Sequence, residues 1–162
     1  MPADRSLDGG SSASPEGHAG YLIGRVDRII RRSFETVLES YGLTLAQYTA
    51  LSVLSARPGL SSAQLARRSL VSAQGMNNIV NNLESKGLIT RTPHEDGGRV
   101  LRASISPTGA ETLALCDNAV SRIEDKFLSK LTAEHQAQFV TALQVLAELP
   151  AGQQHDQVGD EP

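Results

Sequence analysis

The sequence has one cysteine, no long apolar run and more acidic than basic residues. Its single thiol, Cys116, excludes an intrachain disulfide and a structural zinc site made of cysteines alone. No run of about 20 apolar residues is present, which excludes a membrane-spanning helix, and residues 1–20 lack the apolar segment of a secretory signal. We therefore expect a reducing, cytoplasmic location. The formal net charge of −3 by itself argues against a nucleic-acid partner.

Two polar ends flank a segment that is long enough to fold. Residues 1–19 and 150–162 are rich in Gly, Ser, Pro and acidic residues, and they hold few large apolar side chains. Because burial there cannot offset the entropy lost on ordering, we expect both ends to be disordered tails. The length and composition of the segment between them suit a single domain.

Apolar residues at spacings of three and four predict a first helix over about residues 21–41, closed by Gly42. Three further helix starts share an N-cap residue and a hydrophobic staple. Their caps are Thr44, Ser61 and Ser72. The helices are expected over about residues 44–56, 61–69 and 72–86. Gln47 and Gln64 complete capping boxes in the first two, and Gly87 ends the third.

After these helices the pattern changes from helical to extended. Residues 88–92 are β-prone and residues 99–105 alternate between apolar and polar, with a turn-forming segment between them. They predict a two-stranded hairpin with a mobile tip. Pro107 suits the first position of a long helix to about residue 130, and Thr132 starts a last one. The fold class is mainly α with a small β-hairpin wing.

The order of helices, tight turn, helix and hairpin describes a winged helix-turn-helix over residues 43–106, flanked by long helices. Its last helix has an apolar face, made of Met76, Ile79, Val80 and Leu83. The other side carries an amide stripe at i, i+3, i+4, i+7 spacing, made of Gln74, Asn77, Asn78 and Asn81. Solvated helix faces normally carry Glu, Lys and Arg, and Asn is a poor helix former, so helix stability does not explain this stripe.

A carboxamide offers a donor and an acceptor side by side, which match N6 and N7 of adenine in the DNA major groove. Four of them on one face favour base recognition over polar filler, and we add the N-cap Ser72 to the candidate DNA-binding residues. Arg99 follows the turn of the hairpin, where it can reach a DNA backbone or an adjacent minor groove. Arg91 and Arg102 flank the hairpin and are expected to contact phosphates, which position the protein.

Two strings bracket the predicted wing, Leu-Glu-x-x-Gly-Leu-Ile at 83–89 and Ile-Ser-Pro-Thr-Gly at 105–109. On these strings the chain resembles the MarR family of bacterial transcriptional regulators. Family wings carry Asp-x-Arg at the tip. Arg99 matches the Arg, whereas Gly97 holds the position of the Asp and the acid lies one residue earlier, at Asp96.

The resemblance implies a homodimeric, ligand-responsive repressor that binds double-stranded DNA. It assigns residues 20–42 and 107–149 to dimerisation, although the apolar stripes there suit a monomer core as well as a dimer interface. Two recognition helices would bind a pseudo-palindromic operator with half-sites about 10 base pairs apart. A small phenolic or anionic effector would act by changing the spacing or orientation of those helices.

The alternative function is a winged-helix protein-interaction module without sequence-specific DNA binding. Such a module is expected to show an apolar or acidic recognition face, and this one is neutral and rich in amides.

For Cys116, its place on an apolar helical stripe favours a buried, inert thiol over a redox sensor. The consecutive residues His94, Glu95 and Asp96 make poor metal-ligand geometry. No G-x-S-x-G, P-loop or H-E-x-x-H motif occurs, so we expect no enzymatic activity and no cofactor.

The negative net charge is unevenly distributed along the chain. Residues 61–106 hold six basic and three acidic residues, a net charge of +3, and the rest of the chain carries −6. The DNA-facing part is therefore mildly basic, and the acidic total does not exclude DNA. Because +3 is modest, we expect non-specific affinity for DNA to be low and sensitive to salt.

Overall fold

The structure, a computed structural model, describes residues 17–93 and 100–148. The elements in these residues are α1 (Ala19–Glu39), α2 (Leu45–Ala56), α3 (Ser62–Ser69), α4 (Ala73–Ser85), β1 (Ile89–Pro93), β2 (Leu101–Ile105), α5 (Pro107–Leu128) and α6 (Ala133–Ala147). The predicted fold class is confirmed. The chain divides into two compact units, Met1–Ile123 and Glu124–Pro162, and the division falls within α5. In the described part of the chain, no helix is long and apolar enough to cross a membrane.

Three of the described helices end in the left-handed backbone conformation that closes a helix. Gly42 (φ +69°) and Gly87 (φ +70°) do so after α1 and α4, as predicted. After Gly87, the N–H of Leu88 donates to the carbonyl of Leu83 (3.0 Å), which satisfies an otherwise free carbonyl at the end of α4. The third is Leu70 (φ +53°) after α3. This conformation costs a residue with a side chain about 1–2 kcal/mol, and the sequence did not predict it there.

The predicted N-caps are formed. The hydroxyl oxygens of Thr44, Ser61, Ser72 and Thr132 each accept the N–H three residues on, at 3.2, 3.3, 3.1 and 3.3 Å. In α2 and α3 the side chains of Gln47 and Gln64 return to the N–H of the cap residue, at 3.1 and 3.0 Å. Both predicted capping boxes are therefore complete. Helix α1 begins at Ala19, the last residue of the predicted tail, and the remainder of both tails lies almost wholly outside the described residues.

The core of the first unit lies where the first five helices and the hairpin meet. Its largest fully buried side chains are Leu38, Leu51, Leu54, Leu65, Met76, Val80, Leu83, Ile89 and Cys116. Each buried aliphatic side chain stabilises the fold by about 1.5–3 kcal/mol. The apolar face predicted for α4 is confirmed, since Met76, Val80 and Leu83 are fully buried and Ile79 packs partly buried against them.

The two last helices differ in how far they are covered. On α5, Leu113, Cys116 and Val120 are buried in the core of their own chain. Burial raises the pKa of the Cys116 thiol and the negative charge of Asp117 raises it further, as expected of an inert thiol. On α6 no described residue is buried, and large apolar side chains such as Leu143 are exposed. Residues of the stripe on α5 therefore belong to the core of the first unit, whereas large apolar side chains of the stripe on α6 are exposed.

The hairpin pairs β1 with β2 in antiparallel register, with Ile89 opposite Ile105. A third piece of extended chain joins it from the link between α2 and α3. The N–H of Gly59 donates to the carbonyl of Ala103 (2.9 Å), and the N–H of Ala103 donates to the carbonyl of Leu60 (2.8 Å). These two bonds attach the base of the wing to the helix-turn-helix. Of the predicted mobile tip, residues 93–98, all but Pro93 lie outside the described residues.

The first turn of α5 lies against the end of α4. Ser106 caps α5 by accepting the N–H of Gly109 (2.9 Å), and its hydroxyl donates to the carbonyl of Gly87 (2.6 Å). A Cβ on Gly109 would lie only 2.0 Å from the carbonyl oxygen of Leu88. Glycine is therefore required there because two backbone segments approach each other too closely for a side chain.

Replacing Gly109 with Ala should destabilise the protein. Alanine favours a helix by about 1 kcal/mol over glycine, but the clash with the Leu88 carbonyl should outweigh this gain and lower the free energy of unfolding by about 1–3 kcal/mol. Urea unfolding followed by circular dichroism measures the change. The control is Thr108→Ala at the neighbouring exposed position, expected within about 0.5 kcal/mol of wild type. Equal effects of the two substitutions would contradict the close approach.

Candidate nucleic-acid interface

The amide stripe of α4 is exposed along its whole length. Gln74, Asn77, Asn78 and Asn81 are all exposed, on the side of α4 opposite its buried residues. Within residues 17–93 and 100–148, none of these four side chains makes a hydrogen bond or an ion pair. Each carboxamide therefore keeps two donors and an acceptor free for a ligand. No hydrogen bond between these side chains and another described residue has to break before they bind a ligand.

A fifth carboxamide of α4, Asn82, is used inside the protein. Its Oδ1 accepts a hydrogen bond from Nε2 of Gln47 (2.7 Å), a side chain that is only 9 % exposed. Lys86 lies beside this pair and donates from Nζ to the carbonyl of Gly42 (2.7 Å). These bonds tie the start of α2 to the last turns of α4. The sequence predicted only the capping role of Gln47, because nothing local indicates a partner 35 residues away.

Arg91 is the first of the predicted phosphate contacts, and it has an intramolecular partner. Its Nε donates to Oε2 of Glu84 on α4 (2.9 Å), and its Nη2 forms an ion pair with the same oxygen. This hydrogen bond holds the pKa of Glu84 below its usual value and raises the pKa of Arg91. Arg91 therefore braces the wing against α4.

Arg102, the second predicted phosphate contact, also has intramolecular partners. Its Nη1 donates to Oε1 of Gln64 (2.7 Å) and to the carbonyl of Gly59 (3.4 Å), so the guanidinium holds β2 against the start of α3. A phosphate contact of Arg102 stays a prediction. Its acceptor is the capping-box glutamine of α3, 38 residues away in the chain, and sequence spacing carries no signal for such a pair.

The remaining predicted residues are only partly placed by the structure. Ser72 is exposed at the start of α4, beside the amide stripe, and its hydroxyl accepts the N–H of Gly75 (3.1 Å). Arg99 and Asp96 of the wing tip lie outside the described residues. Arg67 and Arg68 entered the sequence-based prediction only through their positive charge. They are exposed in the last turn of α3, immediately before the turn that leads to α4.

A groove of about 700 Å³ lies between α1 and α5, away from the amide stripe. Its lining residues are Ile29, Arg32, Ser33, Thr36, Val37, Ser40 and Ile123. The three hydroxyl groups of the lining donate to carbonyls of their own helix, at 2.6–3.1 Å, so their oxygens face the groove as acceptors. The guanidinium of Arg32 makes no ion pair with another described residue. It is therefore the available cationic donor of this groove.

A hydrogen bond joins the helix-turn-helix to α5. The hydroxyl of Tyr48 on α2 donates to Oδ1 of Asp117 on α5 (2.8 Å). Tyr48 is partly buried against the core, so this bond fixes the distance between the two helices beside Cys116.

In the described residues, no cluster of three or more His, Cys, Asp or Glu side chains is arranged to hold a metal ion.

Comparison with known proteins identifies the family. The MarR family profile matches residues 41–100. HTH-type transcriptional repressor Rv2887 of Mycobacterium tuberculosis is 35% identical over 127 residues, which cover 78% of this chain and 91% of that protein. The chain belongs to the MarR family. Regulators of this family are generally non-enzymatic transcription factors.

Solved structures of this MarR relative agree with the family and fold predicted from the sequence. The crystal structure of Rv2887 in complex with DNA matches with a TM-score of 0.70 at 32% identity, over 80% of this chain and 97% of that one. Its complex with salicylic acid matches with a TM-score of 0.68 at 35% identity, over 80% and 96% of the two chains.

Replacing Glu84 with Gln tests the ion pair that braces the wing. Because Arg91 lowers the pKa of Glu84, the carboxylate of Glu84 binds a proton less readily in the folded protein than in the unfolded chain. The contribution of the pair to the free energy of unfolding is therefore present at neutral pH and is lost as the pH falls through the lowered pKa. We expect Glu84→Gln to be less stable than wild type at pH 7 and equally stable in acid.

Urea unfolding at a series of pH values measures this difference. The control is Glu111→Gln, at an exposed glutamate of α5 that has no ion pair in the described part of the chain. It should change stability little at any pH. If the free energy of unfolding of Glu84→Gln stays below that of wild type by the same amount down to acid pH, the loss of the ion pair is not the cause of the difference.

Proposed function

We propose that this protein is a ligand-responsive repressor that binds a pseudo-palindromic operator in double-stranded DNA as a homodimer. The observation that carries the proposal is the amide stripe of α4. Its four carboxamides are exposed and have no hydrogen-bond partner among the described residues, and the other face of the helix is buried in the core. A helix that follows a tight turn and presents such a face suits the DNA major groove.

In the proposed complex, α4 lies in the major groove and its first turns face the base edges. The base-contacting set is Ser72, Gln74, Asn77, Asn78 and Asn81. Arg99 reaches the backbone or the neighbouring minor groove from the wing, and Arg91 contacts phosphate from the wing base while it braces α4. Arg67 and Arg68, exposed before the turn, add phosphate contacts that position the helix without specifying sequence. The DNA complex of Rv2887 supports DNA as the ligand of this fold.

The proposed dimer uses the helices outside the DNA-binding region of residues 43–106. Residues 20–42 and 107–149 form the dimerisation region, and the uncovered apolar side chains of α6, such as Leu143 and Leu146, support this division. A second copy of the chain would remove these side chains from water. The twofold axis would then place the two α4 helices about 10 base pairs apart on one face of the duplex. A cytoplasmic location follows from a DNA target in a bacterial-type regulator.

Selection from a randomised duplex pool tests this function. Full-length protein is incubated with the pool at low and at moderate salt, and bound duplexes are sequenced. We expect one palindromic motif with half-sites about 10 base pairs apart, still enriched at moderate salt because base contacts add to phosphate contacts. Failure to enrich a palindrome at moderate salt would contradict the repressor function and favour the protein-interaction module.

We propose that the effector binds in the groove between α1 and α5. The groove combines an apolar lining, hydroxyl oxygens that act as acceptors and one available guanidinium, that of Arg32. A small aromatic acid fits this chemistry, since its carboxylate pairs with Arg32, its ring packs on Ile29 and Ile123, and a phenolic hydroxyl donates to the hydroxyl oxygens. The complex of Rv2887 with salicylic acid supports a ligand of this class.

Arg32→Gln should weaken salicylate binding, measured by isothermal titration calorimetry on the full-length protein. A hydrogen-bonded charge pair is worth about 1.5–3 kcal/mol, so the affinity should fall by roughly 10- to 150-fold. The matched control is Arg31→Gln, because Arg31 is outside the groove lining and pairs with Asp27 (3.4 Å) on the same helix. If the two variants lose the same amount of salicylate affinity, the effector does not bind in this groove.

A further inference from the structure

Helix α4 lacks cations on the face that carries its amides. Between Ala73 and Ser85 the only ionisable side chain is Glu84. Its carboxylate is occupied by Arg91 of the hairpin. The exposed face is therefore neutral, and its hydrogen-bonding groups are the carboxamides of the amide stripe.

Guanine and adenine differ at the major-groove edge in a way that this face can distinguish. Guanine presents two acceptors, N7 and O6, and is bound best by Arg or Lys, which only donate. Adenine presents an acceptor at N7 and a donor at N6, and is bound best by the donor–acceptor pair of Asn or Gln. A face with four exposed carboxamides and no cation matches the donor–acceptor pair of adenine and lacks the Arg or Lys side chains that bind guanine best.

We propose that the amide stripe selects operator half-sites with a core of consecutive A·T pairs. This inference rests on the proposed DNA-binding function and names the bases that α4 contacts. Bidentate hydrogen bonds from Asn and Gln to adenine N6 and N7 provide the discrimination. The residues that form these bonds are Gln74, Asn77, Asn78 and Asn81.

The geometry of α4 sets the length of that core. An α-helix rises 1.5 Å per residue, so the stripe from Gln74 to Asn81 is about 10 Å long. Base pairs are spaced about 3.4 Å apart along the duplex, and the stripe therefore covers roughly three of them. Asn82 is outside this set because its Oδ1 is already bonded to Gln47.

Base analogues test the proposal on the operator recovered by the selection described above. Each half-site adenine is replaced singly by 7-deazaadenine, which keeps the Watson–Crick pair and the N6 amino group but lacks the N7 acceptor. At two or three adjacent adenines, the loss of one hydrogen bond should weaken binding about 2- to 12-fold each. The control, 7-deazaguanine at guanines in the same half-site, should leave the affinity unchanged.

Protein variants provide a second readout. Asn77→Ala should reduce the preference for A·T over G·C at one position of each half-site by roughly 5- to 150-fold. Asn82→Ala, on the same helix, should keep the base preference of wild type even if it lowers stability. Circular dichroism confirms that each variant is folded before its binding is compared.

The possible outcomes separate the inference from the function on which it rests. If no palindrome is enriched, the DNA-binding function itself fails. A palindrome with G·C pairs at the core of each half-site, or adenines that tolerate the loss of N7, would overturn the assignment of bases and leave DNA binding intact. The same conclusion follows if Asn82→Ala changes base preference as much as Asn77→Ala.

Discussion

Burial of Met76, Val80 and Leu83 determines how α4 is rotated about its own axis. All three side chains are fully buried, and the amide stripe lies on the opposite side of the same helix. Rotation by one residue, about 100°, would expose these side chains at about 1.5–3 kcal/mol each and would bury unpaired carboxamides at about 1–3 kcal/mol each. The face offered to solvent is therefore fixed by the core. The orientation of the amide stripe therefore does not depend on the weak helix propensity of asparagine.

Two capping-box glutamines extend this constraint to the rest of the DNA-binding region. Gln47 caps α2 and donates to Asn82 of α4, and Gln64 caps α3 and accepts from Arg102 of β2. Each side chain thus accepts a hydrogen bond from the N–H of the N-cap residue of its own helix and also holds a second element in place. The Glu84–Arg91 pair adds a third link, from α4 to β1. Helices and wing are consequently positioned by polar bonds around an apolar centre.

The parts of the fold that depend on local chemistry could be predicted from the sequence. Caps, glycine helix ends and apolar periodicity act over three to seven residues, and the helices and hairpin they predict are present. The exposed carboxamides follow from the same helical period. The roles of Arg102 and Gln47 depend instead on partners 38 and 35 residues away, which no local pattern encodes. The left-handed conformation at Leu70 was also missed because the residue there is not glycine.

The close approach at Gly109 has a mechanical consequence. The first turn of α5 contacts the carbonyl of Leu88 so closely that a Cβ would lie 2.0 Å from it, and Ser106 bonds both Leu88 and Gly87. This close approach and these two hydrogen bonds therefore hold the end of α4, the base of the wing and the start of α5 together. A tilt of α5 cannot be absorbed by sliding at this junction. In the proposed DNA complex, a small rotation of the first turn of α5 would therefore change the angle at which α4 lies in the major groove.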